Sequence, residues 1–183
     1  MKNKAEAGFS YIDVLFALII LMIGILALMS AISASIVQTR AHEQQLLAKQ
    51  LATSTMESIM SVKETDITRL GWPAVGNIGT NPVGGVNRGV FVVNFQQVMS
   101  DPGPDEVLGT ADDNGTAVDN VTRRIVVTDV CDPDRPSPVI CSPVGPFPVR
   151  IRSVSVTVRY SVGGLQRDEV LTTVLTDYAV LTS

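Results

Sequence analysis

The 183-residue sequence contains one histidine and two cysteines. His42 stands far along the chain from Cys131 and Cys141, so a structural zinc site lacks its ligands. With no serine or cysteine motif to partner it, His42 supports no catalytic triad either. Positive charge is in the minority, with 14 Lys and Arg against 18 Asp and Glu and a formal net charge of -4. The bases are scattered, whereas a phosphate-binding surface needs them clustered, which removes nucleic acid as an expected partner. Arg150, Arg152 and Arg159 do fall near one strand, but positions 152 and 159 differ in parity and point to opposite faces, so no basic stripe forms for a DNA-uptake or adhesive tip. No GxSxG is present, and no paired carboxylates are placed by regular structure. A membrane-anchored extracytoplasmic enzyme, the competing class of function, is left without base, nucleophile or metal.

Charge is missing altogether from one long stretch. After Asp13 the next charged residue is Arg40, and Val14 to Val37 is a 24-residue run broken only by Gly24, Ser30, Ser33 and Ser35. Apolar residues make up 45% of the chain and mean hydropathy is +0.28, and the excess sits near the N-terminus. As a helix rising roughly 1.5 Å per residue the run spans about 36 Å, more than the ~30 Å hydrocarbon core of a bilayer. Lys2 and Lys4 precede it, the positive flank that keeps an N-terminus in the cytoplasm and sends the remainder outward. A secretory signal would have a shorter apolar stretch with a small-residue cleavage site after it. Here the small residue, Gly8, comes before the run, and a cut after it would keep the membrane helix.

The segment MKNKAEAGFSYIDVLFALIILMIGILALM, about thirty residues, resembles the class III signal of type IV pilins and type II secretion pseudopilins. The resemblance implies cleavage between Gly8 and Phe9 by prepilin peptidase, which is also the N-methyltransferase, giving N-methylphenylalanine at Phe9. It places the family's carboxylate at Asp13, where Glu is usual, while Ser10 and Tyr11 replace the commoner Thr and Leu. A carboxylate at the centre of a membrane costs about 2.5 to 3.5 kcal/mol, so one at the rim of an apolar run calls for a cation. Cleavage would create an ammonium on Phe9, four residues from Asp13 and one helical turn away. Asp13 is therefore expected to pair with the amine of an adjacent subunit while the apolar helices pack together. The alternative reading of the segment is a plain anchor whose Asp13 marks the interface.

Gln38 to Lys63 contains no Gly or Pro. Leu47, Leu51, Met56, Ile59 and Met60 recur at three-to-four spacing, which predicts an amphipathic continuation of the same helix. Gly71 to Gly89 reads as loop. Strands are expected over Val90 to Val98, Arg123 to Val130, Ile151 to Val162 and Glu169 to Thr176. In the third, Val154, Val156, Val158 and Tyr160 alternate with Ser155, Thr157 and Arg159, and Gly163-Gly164 supplies a two-residue turn into the fourth. The expected fold class is α+β, a long N-terminal helix packed on an antiparallel β-sheet head. The expected divisions are a leader over 1–8, a helix over 9–63 with its membrane span at about 14–37, and a β-rich head over 64–183. The resemblance implies the same elongated helix.

Two features of the head carry chemistry. Cys131 and Cys141 bracket DPDRPSPVI, and in an oxidising extracytoplasmic space a disulfide between them is the expected state. The stretch DPGPDEVLGTADDNGTAVDN, Asp101 to Asn120, has six carboxylates and no base. Asp101, Asp105, Asp112 and Asp113 offer hard oxygen ligands of the kind calcium takes, although EF-hand spacing is absent. Part of it is loosely similar to calcium loops of secreted bacterial proteins and of major pseudopilins, and the competing reading is a solvated acidic loop. The closing stretch VSVTVRYSVGGLQRDEVLTTVL is similar to the terminal hairpin of PilV-like minor pilins. Taken together, the resemblances imply a non-catalytic filament subunit of a pilus serving adhesion, twitching motility or DNA uptake, with a pseudopilin of a periplasmic pseudopilus as the rival. The implied partners are prepilin peptidase, other pilins or pseudopilins and an inner-membrane assembly platform. The implied location is the bacterial inner membrane with the head outside the cytoplasm, then the pilus or pseudopilus.

Overall fold

The structure, a computed structural model, describes residues 10–65, 69–131 and 149–177. Its order is α1 (Tyr11–Glu64), α2 (Gly71–Ala74), β1 (Pro82–Val83), β2 (Val86–Asn87), β3 (Gln96–Asp101), β4 (Asn114–Asp129), β5 (Ile151–Val162) and β6 (Leu165–Thr176). The chain divides into two compact units, Met1–His42 and Glu43–Ser183.

Within the first unit α1 begins at a cap that the sequence supplies. The Ser10 side chain accepts from the Ile12 N–H at 3.4 Å, and the Ser10 N–H donates to Asp13 Oδ2 at 3.2 Å. This reciprocal arrangement satisfies donors that the first helical turn would otherwise leave open. Beyond it, every large apolar side chain from Ile12 to Val37 is exposed. Ser33 and Thr39 turn their hydroxyls back onto the carbonyls of Met29 and Ser35 at 2.9 and 3.0 Å, so neither presents an unmet polar group to an apolar surrounding. The helix is long and apolar enough to cross a membrane.

Within the second unit, the later turns of α1 bury Ala48, Ala52, Thr55, Met56, Ile59 and Val62, one face at helical spacing. They join a single core with Val98, Val121, Ile125, Val154, Val156, Val158 and Tyr160. Strands β3-β4-β5-β6 form an antiparallel sheet in that order, and β1 and β2 form a separate hairpin. The β4–β5 register aligns Val121 with Tyr160, Ile125 with Val156 and Val127 with Val154, so the apolar sets of the two strands share one face. The β5–β6 hairpin closes through Gly163 and Gly164, both at positive φ (57° and 86°), where a side chain would strain the turn.

Strand β5 matches its expected limits. The first expected strand does not: the ladder starts at Gln96, and Val90 to Val92 instead donate to Ala74, Gly76 and Gly109 carbonyls, which buries Phe91 under the loop after α2. Strand β4 starts at Asn114, nine residues before its expected beginning, so the last third of the acidic segment is strand, paired through Met99–Ala117 and Asp101–Asn114. The Gly-rich stretch after α1 is irregular as expected but tightly held. Buried Asn77 donates to the Phe91 and Ile125 carbonyls and accepts from the Val127 N–H, tying the loop to β4.

Candidate functional site

Gly8 and Phe9, the expected processing residues, lie outside the described residues, as does Cys141. Asp13 sits in the first turn of α1. Its carboxylate faces back along the helix toward Ser10, the side from which the chain enters. Its geometry is an acid at the mouth of a helix whose next charge is Arg40, held by a backbone N–H and exposed. That is an anion with spare acceptor capacity, which a cation can engage without breaking any buried contact. Cys131, two residues past the end of β4, is disulfide-bonded.

The four candidate calcium ligands accept mainly from nearby backbone groups, with Asp105 and Asp112 close enough to interact. Asp101 accepts from the Gly103 N–H at 2.8 Å and Asp105 from the Val107 N–H at 2.8 Å, each closing a short turn. Asp112 accepts from the Thr110 hydroxyl at 2.6 Å and from the Asp105 N–H at 3.3 Å. Burial raises the pKa of Asp105, whereas the Thr110 hydroxyl holds that of Asp112 below the ordinary carboxylate value. Asp113 is buried. It accepts from the Gly109 and Thr110 N–H groups and receives Arg123 Nη2 at 2.5 Å, with the two side chains 7% and 5% exposed. Among the described residues, no three His, Cys, Asp or Glu gather closely enough to hold a metal ion.

Arg123, Thr55 and Ser58 complete this arrangement, and none of them stands out as a site residue in the sequence. Arg123 Nη1 donates to Thr55 Oγ1 at 3.1 Å, and the Leu108 N–H donates to Ser58 Oγ at 3.0 Å, so the loop between β3 and β4 is strapped to α1 at two points. Burial lowers the Arg123 pKa and Asp113 pulls it back up. Removing one partner of such a buried pair costs about 3–5 kcal/mol, because the other is left as an unmatched charge. The signal was available as parity: Val121, Ile125 and Val127 mark the inward positions of β4, and Arg123 is the charge among them. Gly109, at φ +97°, lets the loop pass over the sheet, since a Cβ there would lie 2.2 Å from Ile125 Cδ1.

A second inward arginine, Arg152, is fixed likewise by Asp129 at 3.1 Å and by the Trp72 and Val75 carbonyls, with its guanidinium 4.4 Å from the Trp72 ring. Arg159 lies on the opposite face, in a bidentate pair with Asp168 and 4.0 Å from the Phe95 ring. The two thus sit on opposite faces as their parity requires. Trp72, Pro73, Asn81, Pro82, Val83, Val149 and Arg152 line a shallow cavity of about 150 Å³. Its arginine already directs Nε to Asp129 and Nη1 to the Trp72 and Val75 carbonyls. Comparison of the chain with known protein families, curated proteins and solved structures gave no match.

Proposed function

We propose that this chain is a non-catalytic subunit of a pilin-type filament, a minor type IV pilin that is cut between Gly8 and Phe9, methylated at Phe9, and assembled into or used to prime a pilus. One observation carries the reading. A single helix, Tyr11–Glu64, begins within the GFSYID motif, exposes every large apolar side chain of its first half, and buries a face of its second half in the core of an antiparallel sheet. An anchor alone needs the first part of that description and not the second. A helix that is hydrophobic all round requires an apolar surrounding, and bilayer and packed neighbouring helices are the two that fit a subunit passing from membrane to filament.

Asp13 supplies the registering contact in this reading. Its contact to the Ser10 N–H is single and exposed, so an ammonium can be added to the same carboxylate with no buried group disturbed. The pairing would set the axial position of one helix against the next, as a single polar group in an apolar interface does elsewhere. The rival reading, a pseudopilin of type II secretion, uses the same features and differs in where the filament stands.

Mass spectrometry of the protein recovered from sheared surface filaments tests the proposal. The expected result is a chain starting at N-methyl Phe9 in the sheared fraction. Recovery of processed chain only from the cell envelope would favour the periplasmic rival. A functional chain that retains residues 1–8 would overturn both.

A further inference from the structure

We propose that Arg123 is the resident cation of the acidic loop between β3 and β4, and that this loop is ordered by docking on α1 and β4 rather than by a bound calcium ion. The inference concerns the head alone and goes beyond the filament reading.

Calcium takes six to eight oxygens at one point. Asp105 and Asp112 lie close enough to interact, but among the described residues no third acid joins them to make a metal-holding group, and the oxygens of the best-covered carboxylate, Asp113, are engaged by protein donors. Asp113 Oδ2 meets Arg123 Nη2 and the Gly109 N–H, and Oδ1 meets the Gly109 and Thr110 N–H groups. A carboxylate offers about four lone-pair positions, so a metal here would have to displace these donors. Asp101 and Asp112 accept from backbone N–H groups at the surface, and half-buried Asp105 accepts from the Val107 N–H.

The electrostatic requirement is therefore concentrated in one place. Buried Asp113 needs a buried positive charge, and a guanidinium fits because it stays protonated at any physiological pH and offers several donors in fixed directions. Arg123 uses that fork across two elements, one nitrogen on Asp113 and another on Thr55 of α1, while its own strand supplies the base. The Thr55 hydroxyl in turn donates to the Leu51 carbonyl at 2.7 Å, so the chain of contacts ends in the helix backbone. A divalent ion would tie carboxylates to one another. This arginine ties the loop to the helix, and its supply does not depend on the calcium content of the surroundings.

The full-length protein in detergent micelles provides the test, with backbone hydrogen exchange over residues 107–113 and the melting temperature Tm read in excess CaCl2 and in EDTA. Wild type is expected to show the same Tm and the same slow exchange in both. Arg123→Lys keeps the charge but cannot span both partners, so it is expected to speed exchange across 107–113 while the paired amides of β4 and β5 stay protected. Arg123→Gln is expected to lower Tm by on the order of 10 °C. A wild-type Tm several degrees higher in calcium than in EDTA would overturn the proposal, as would unchanged loop exchange in Arg123→Lys. If Arg123→Gln does not fold, the wild-type calcium comparison and the lysine variant still decide the matter.

Discussion

Ile59 and Ile23 are the same side chain on the same helix, one fully buried and the other 62% exposed, and truncating each to alanine separates what the two halves of α1 do. Ile59→Ala removes three carbons from the core formed with Val121, Ile125 and Val156. At about 0.8 kcal/mol per buried carbon the transfer loss is roughly 2.4 kcal/mol. The space left behind raises it to about 3–4 kcal/mol, inside the ~2–5 kcal/mol range for such truncations. For a chain of this size each kcal/mol moves Tm by about 2–4 °C, so a fall of roughly 10 °C is expected. Ile23→Ala makes the same deletion where most of the side chain is uncovered by protein, and its effect is expected within about 0.5 kcal/mol. Differential scanning calorimetry of the full chain in detergent micelles reads both. If Ile59→Ala melts with wild type, or if Ile23→Ala falls as far, the assignment of the two halves to core and apolar surrounding is wrong.

Asp13→Ala should abolish recovery of the protein in sheared filaments while leaving its membrane fraction and Tm unchanged; undiminished incorporation would refute the pairing role. Asn77→Ala strands the Val127 N–H and the Ile125 carbonyl in the core, and a loss of about 2–4 kcal/mol is expected in urea unfolding; a change near zero would show that the loop is held by other means. Stability should also fall in acid. Asp112 and Asp168 have folded pKa values below the ordinary one, through the Thr110 hydroxyl and the Arg159 guanidinium respectively. Their contribution is complete above the unfolded value of about 3.9 and lost as pH drops through the lower folded values. Asp105, raised by burial, runs the other way and offsets part of the loss. Asp112→Asn combined with Asp168→Asn should flatten the decline below about pH 4 followed by circular dichroism, and an unaltered acid transition would contradict this account.

The sheet was legible where alternation was clean. In β5 a Val-Ser-Val-Thr-Val-Arg-Tyr rhythm with a two-glycine turn after it leaves a single register that keeps the valines on one face. Val90 to Val92 is just as apolar, yet it forms no ladder, because its N–H groups are taken by Ala74, Gly76 and Gly109, partners set by tertiary folding. Glycine, threonine and aspartate obscured the start of β4, where pairing with β3 proceeds through two register shifts. Such bulges let strand continue through residues of poor strand propensity. At the head's charged loop, counting carboxylates drew attention to acids that turn out to close local turns. The partner of the loop's best-covered carboxylate is Arg123, ten positions beyond Asp113, visible only once inward and outward positions of β4 are separated.

Trp72 is the chain's one tryptophan. Its indole N–H is held at 2.8 Å by the Val149 carbonyl and its ring lies under the Arg152 guanidinium. Tryptophan emission, excited beyond the tyrosine band, therefore comes from a single chromophore in the second unit, beside a charge and a fixed acceptor, both of which tune an indole's excited state. Light from this ring would register the head opening and stay silent to events along the first forty residues, giving an unlabelled optical means of telling the two apart.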